Sequence, residues 1–260
     1  MLEGKRLLVT GVATNDSIAY ATVRRARALG AEVVVSCFPR DADAVRNLVA
    51  DDAAIAVVPA DLTQPEDIAS LGDHVRREWG HLDGALHAVA FAPRDALAGS
   101  FLAAPAASVE LAMRTSTWSY VALAELLATL TPPSGGSLVG LDFDAGNRAW
   151  PVYNWMGVCK AALRSASTYV ARDLGARLVR SNLVAAGPLA TRAALGIPRF
   201  DLLTNAWATT SPLPWSTTDA SPVADAVCFL LSDFSRAITG EILHVDGGFH
   251  AMATVRAEEE

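Results

Sequence analysis

A chain of 260 residues holds one large domain or two small ones, and 52% hydrophobic against 19% charged residues excludes a disordered chain. The formal net charge of −7, with no basic run, is wrong for a nucleic-acid binder. No apolar stretch nears the roughly 18 residues of a membrane span, and the run after Lys5-Arg6 is too short for a secretory leader, so a soluble, cytoplasmic chain is expected. Cys37, Cys159 and Cys228 lie far apart and the five histidines are scattered, so neither a disulfide framework nor a metal site is indicated.

In chain order, Lys5–Thr10 reads as a strand, Ile18–Leu29 as a helix, Glu32–Cys37 as a strand and Ala42–Ala50 as a helix. Then come strand Ile55–Pro59, helix Pro65–Trp79, strand Leu82–Val89, helix Val109–Leu130 and strand Ser137–Asp142. Helix Val152–Leu174, strand Leu178–Val184, helix Pro222–Leu231 and strand Glu241–Val245 complete the series. Most strands are unbroken apolar runs, as parallel strands covered on both faces require. The alternation predicts an α/β fold: a single-domain, Rossmann-like, doubly wound parallel sheet of about seven strands with helices on both faces. Ser221-Pro222 reads as a capping side chain followed by Pro at the first helical position. The terminal Glu258-Glu259-Glu260 is expected to be a solvated, frayed end. Residues 188–216 break the rhythm, with four prolines among apolar Leu195, Phe200, Leu202, Leu203 and Trp207. Such an excursion beyond a strand's carboxyl end reads as a substrate-binding loop, the alternative being a surface insertion.

The first strand runs into Gly11 and a turn through Ser17 and Ile18, a strand–turn–helix unit suited to a pyrophosphate although it lacks the three-glycine fingerprint. The second ends Cys37-Phe38-Pro39-Arg40, without the acid that often holds an adenosine ribose. Phe38 is placed to lie against adenine, and Arg40 either to stack there or to pair with a 2′-phosphate. Asp61, followed by Leu62, either accepts from an adenine amino group or caps the helix at Pro65.

Tyr153 and Lys160 are seven residues apart, close to two helical turns, which puts them on one face about 10 Å apart. Leu141-Asp142-Phe143 closes the fifth strand, at the edge where a nicotinamide should lie. A phenol there can donate to a carbonyl oxygen that becomes an enolate, while an ammonium can hold a ribose diol.

These residues, with Phe91-Ala92-Pro93, Ser119-Tyr120, Pro151 through Met156, Ser181 through Pro188 and Val245-Asp246-Gly247-Gly248, carry a family resemblance over nearly the whole chain. The chain resembles the divergent short-chain dehydrogenase/reductases that act as enoyl-acyl-carrier-protein reductases, most of all their actinobacterial, mycobacterial branch. The Tyr-x6-Lys spacing carries it best, because common ketoreductases of the superfamily use Tyr-x3-Lys and position 157 is Gly. The resemblance implies reduction of the trans-2 double bond of an enoyl thioester on acyl carrier protein or coenzyme A. It implies NADH as cofactor, with NADPH possible, and a homotetramer. Tyr153 becomes the enolate-stabilising residue, Lys160 the ribose ligand, and Phe143 the aromatic beside the thioester. Gly11, Ser17 and Ile18 would line the pyrophosphate. Phe38, Arg40, Asp61 and Leu62 would serve the adenosine end, and Ala88, Val89, Ala90, Leu141 and Asp142 the central wall. Gly187, Pro188, Leu189 and Thr191 would meet carboxamide and phosphates. Phe91, Met156, Phe200, Leu203 and Trp207 would face substrate. The surplus apolar surface of the two long helices, with Trp118, Tyr120 and Tyr169, is the sequence support for the oligomer. Ala88 and Ala190 depart from the family pattern, which keeps a specialised reductase of an enone or carbonyl in a natural-product pathway as the alternative.

Overall fold

The computed structural model describes residues 1–253. Strands β1 (Arg6–Thr10), β2 (Glu32–Cys37), β3 (Ala56–Pro59), β4 (Gly84–His87), β5 (Gly136–Asp142), β6 (Val179–Ala186) and β7 (Ile242–Val245) form one sheet. Its order is β3-β2-β1-β4-β5-β6-β7 and every pairing is parallel. This is the Rossmann-like doubly wound architecture the alternation predicts. The Glu258–Glu260 expectation lies outside the described residues.

The unbroken apolar runs feed two cores because successive side chains of a strand point to opposite faces. Leu7 and Val9 of β1, Val33 and Val35 of β2 and Val139 of β5 enter one core. Their neighbours Leu8, Val34 and Leu138 enter the other. Helices α1 (Ile18–Ala28), α2 (Ala42–Leu48) and, late in the chain, α10 (Ser221–Leu231) fill the first core with Val23, Val45, Val223 and Val227. The second core takes Leu71 and Val75 from α3 (Pro65–Glu78). Beyond the short α4 (Arg94–Leu97) and α5 (Ala106–Met113), it also takes Leu123 and Leu127 of α6 (Ser119–Leu130) and Leu163 of α7 (Asn154–Leu174). Each such side chain contributes about 1.5–3 kcal/mol when fully buried.

Several boundaries differ from the sequence reading. The helix expected over 109–130 is α5, a π-helical turn at Arg114–Trp118 and α6. The wider turn sets the Ser116 hydroxyl 3.0 Å from both the amide nitrogen and the carbonyl oxygen of Phe91. Tyr120, read as surface surplus, is fully buried, its hydroxyl 2.6 Å from Ser181 Oγ and 3.2 Å from Ser167 Oγ. Strand β4 stops at His87, freeing 88–90 from the ladder. Ser221 does not cap α10; it is the first helical residue, and Asp219 accepts from its backbone N–H at 2.9 Å. The excursion after β6 carries two helices, α8 (Arg192–Leu195) and α9 (Asp201–Thr210).

Candidate active site

The strand order reverses between β1 and β4, and the crevice outside their carboxyl ends is where such sheets bind ligands. Gly11 makes the turn leaving β1. Its φ is +78°, and a Cβ there would lie 2.2 Å from the Ala88 carbonyl oxygen, so only glycine fits. Ser17 caps α1, accepting from Tyr20 N–H at 3.1 Å and donating to Thr14 O at 2.8 Å. The positive end of an 11-residue helix thus points at the crevice, with Ile18 as its first residue. Ala88 and Val89 are half-buried and Ala90 is exposed along the opposite wall.

At the end of β2, Phe38 is exposed and the Arg40 guanidinium sits 4.8 Å over its ring. The residue that follows Cys37–Arg40 is an acid, Asp41. A 3-10 turn, Pro39–Asp41, brings the Asp41 carboxylate back to this edge, where its side chain is only 15% exposed. Asp61 does not cap α3, whose N-cap is Gln64; it accepts instead from the Thr63 N–H at 2.9 Å and the Thr63 hydroxyl at 2.8 Å. Leu62 is buried in the second core.

Tyr153 and Lys160 both lie near Asp142 at the end of β5, but they do not share the helix face that the spacing suggests. Tyr153 is the non-helical N-cap residue and α7 begins at Asn154, whose φ of +34° makes the sharp entry. Both side chains are buried. Burial, with Asp142 nearby, raises the Tyr153 phenol far above its ordinary range, so the group stays protonated and acts as a donor. Lys160 Nζ donates to Leu141 O at 2.7 Å. Burial lowers its pKa and Asp142 opposes the shift. Asp142 is wholly buried, paired at 2.7 Å with Arg164 Nε. Burial raises its carboxyl pKa, while Lys160 and Arg164 pull it down. Arg164 also reaches Asp144 at 3.3 Å. It stands one helical turn after Lys160, a spacing that could have flagged it.

Phe143 lies 4.9 Å from the Tyr153 ring, and Trp207 5.4 Å from Phe143. Trp150 and Phe249, both absent from the sequence reading, complete the cluster: Trp207 stacks on Phe249 at 3.8 Å and Trp150 on Trp207 at 5.4 Å. Met156 and Leu203 are buried in this cluster and Phe200 packs against it. Phe91 stands outside, 48% exposed. Beside Tyr153 runs a groove of about 470 Å³, lined also by Phe101, Trp150, Asn154 and Val158. Its size is that of a small-molecule site.

After β6, Gly187 approaches two indoles so closely that a Cβ would lie 2.6 Å from Trp215 and 2.8 Å from Trp207. Trp215 Nε1 donates to Pro188 O at 2.9 Å. Leu189 is buried, and Thr191 Oγ1 caps α8 by accepting from Ala194 N–H at 3.3 Å. The cradle fits a reduced dinucleotide. The crevice has a glycine-only turn and a helix N-terminus, and the buried Lys160 ammonium, with three donors, makes one hydrogen bond among the described residues.

A doubly wound sheet with a Tyr–Lys pair at the carboxyl end of β5 defines a short-chain dehydrogenase/reductase. Residues 11–250 match the family model described as enoyl-(acyl carrier protein) reductase. An enoyl-[acyl-carrier-protein] reductase [NADH] of Mycolicibacterium smegmatis is 38% identical over 95% of this chain and 97% of its own length. Its namesake from Mycobacterium avium is 38% identical with the same coverages, and the one from Aquifex aeolicus 36% identical over 100% of this chain and 96% of its own. The chain belongs to the enoyl-(acyl carrier protein) reductase family.

Proposed function

We propose that this chain uses NADH to reduce the trans-2 double bond of an enoyl thioester carried on acyl carrier protein, coenzyme A serving as a carrier in vitro. The observation that supports this reading is the buried Tyr153 phenol, its pKa raised by burial, packed on Phe143 at the end of β5, where Lys160 Nζ also bonds Leu141 O. When bound, the cofactor supplies a hydride to the β-carbon of the substrate.

The chain's own residues do the rest. Tyr153 Oη donates a hydrogen bond to the thioester carbonyl oxygen, and that bond strengthens as negative charge builds in the enolate. The phenol need not give up its proton, and its raised pKa disfavours that transfer. Lys160, held by Leu141 O, offers its remaining donors to the ribose diol and sets the cofactor's position against Tyr153. Asp142 and Arg164 keep a balanced pair behind Lys160. Phe143, Met156, Leu203 and Trp207 exclude water from the reacting carbons. Gly11, Ser17, Ile18 and Thr191 serve the phosphates, and Phe38 and Asp61 the adenosine end. The chain works as one domain, in the cytoplasm, and as a homotetramer. The last is supported by exposed Leu111, Trp118, Val158 and Tyr169 on α5, α7 and the turn between α5 and α6.

The test is NADH oxidation with trans-2-enoyl thioesters on carrier protein and coenzyme A, run beside simple ketones and with NADPH. Turnover of thioesters with NADH preferred at least tenfold is expected. Ketone reduction without thioester reduction overturns the reading in favour of a carbonyl reductase. Light scattering that shows a monomer at micromolar concentration removes the tetramer.

A further inference from the structure

Asp41 and Arg192 belong to opposite halves of the sheet. Asp41 closes the 3-10 turn that follows β2, while Arg192 opens α8 beyond β6. Strands β1, β4 and β5 lie between β2 and β6. With strands about 4.8 Å apart, β2 and β6 are separated by about 19 Å of sheet. Yet Arg192 Nη1 lies 3.0 Å from Asp41 Oδ1. The chain leaving β6 therefore turns back over the carboxyl ends of β5, β4 and β1 to meet Asp41. Those ends form the crevice that Gly11 and α1 open onto.

Each end of this bridge is fixed except for one side chain. Asp41 is held by its own N–H, which donates to Phe38 O at 2.9 Å, and by Arg40 Nε at 3.9 Å from Oδ2. On the other side Ala190 N–H donates to Thr217 O at 2.7 Å, and Thr191 caps α8. The Arg192 side chain is half exposed and crosses to Asp41 with no other hydrogen bond or ion pair among the described residues. Rotation of that side chain opens the bridge without unfolding either anchor.

We infer that the Asp41–Arg192 ion pair is a clasp across the dinucleotide crevice, with Arg192 a positioning residue that retains the cofactor by acting through Asp41. This rests on the reading of the crevice as an NADH site. A bound dinucleotide leaves when the pair opens. A half-exposed pair changes an equilibrium constant by up to about fivefold, so the clasp tunes residence time and does not decide whether binding occurs.

Stopped-flow NADH fluorescence on the full chain tests this without turnover. Arg192→Gln and Asp41→Asn should each raise the NADH dissociation rate about three- to fivefold. The double variant should show no further rise, because both changes break one contact. The charge-swapped variant Asp41→Arg/Arg192→Asp should recover most of the slow rate. High salt should speed release from the native protein and leave the single variants little changed. Unchanged dissociation in either single variant, or additive effects in the double, overturns the clasp and leaves the enoyl reductase reading standing. Failure of the native protein to bind NADH overturns both.

Discussion

Arg164 Nε lies 2.7 Å from Oδ2 of Asp142, whose side chain is wholly removed from solvent at the carboxyl end of β5. The pair stands directly behind Lys160, the other cation acting on Asp142. Its second carboxylate oxygen, Oδ1, has no hydrogen-bond partner among the described residues, and the compensation for burying the charge comes from Lys160 together with the Arg164 guanidinium.

Replacing Arg164 with Met should therefore cost about 3–5 kcal/mol in urea unfolding at neutral pH, the usual result of leaving one member of a buried pair. Burial already raises the Asp142 pKa, and loss of Arg164 raises it further. A carboxyl with a raised folded pKa binds more protons folded than unfolded. The variant's stability should then fall as pH rises from the ordinary carboxylate value through the raised one. Adding Asp142→Asn should restore much of the loss. A cost below about 1 kcal/mol would show that Asp142 is already neutral.

Tyr153→Phe and Lys160→Met should separate two roles. The first removes one donor to an oxyanion and should lower kcat about a hundredfold, with NADH affinity nearly intact. The second removes a ground-state contact with the cofactor, so its signature is a raised NADH Kd, any kcat loss following from misplacement. Direct NADH titration and initial rates on both variants decide it. Full activity in Tyr153→Phe with native affinity in Lys160→Met would leave the pair as mere helix packing.

His87 supplies a pH dependence of known sign. Burial, with Lys160 adding to it, pushes this imidazole from 6.5 down to about 3. The folded chain thus binds fewer protons than the unfolded one between those values. The contribution is complete above 6.5 and is lost on acidification, by up to about 1.4 kcal/mol per pH unit, until pH 3. His87→Gln can keep a hydrogen bond to Ser119 Oγ, now at 2.8 Å from Nε2, without titrating. The stability difference between variant and native protein should change across pH 6.5 to 4 with that slope. Parallel curves would contradict the assignment.

The strands were legible because their signals are local. A run such as Leu7-Leu8-Val9 needs two covered faces, whereas the seven-residue spacing does not become a shared helix face because Tyr153 precedes α7. The misses are long-range or conformational. Residues 114–118, Arg114-Thr115-Ser116-Thr117-Trp118, are mostly polar, and nothing in so short a polar stretch distinguishes a π-helical turn from an α-helical one. Asn154 reads as an ordinary helix residue until its left-handed backbone is seen. Asp41 falls one residue beyond the strand-end motif and is returned to the edge by a 3-10 turn. Trp150 and Phe249 are far apart in sequence and meet because the segments that follow β5 and β7 converge over β6.

Trp207 is the anchor by which the excursion after β6 is held down, and removing it should loosen that segment before the rest of the chain. The ring is 1% exposed, stacks on Phe249 and donates from Nε1 to Asp246 O at 3.0 Å. Ser211 Oγ reaches the same carbonyl at 3.4 Å, and Leu213 N–H donates to Gly247 O at 3.0 Å, so the Asp246-Gly247-Gly248 turn secures the far end of α9. Trp207→Ala deletes the largest of these contacts, where such truncations cost about 3–5 kcal/mol in a packed site. Trp207→Phe keeps an aromatic ring but loses the indole donor and part of the ring volume, for a smaller cost than Trp207→Ala. Arg192 and Arg199 lie within the excursion and provide tryptic sites there. Cleavage after either arginine should be at least tenfold faster in Trp207→Ala than in the native chain, and only slightly faster in Trp207→Phe. The KM for an enoyl thioester should rise in the same order, because α9 carries Leu203 into the cluster around Phe143. Equal cleavage rates in all three proteins would place the anchor elsewhere, on Trp215 and its bond to Pro188.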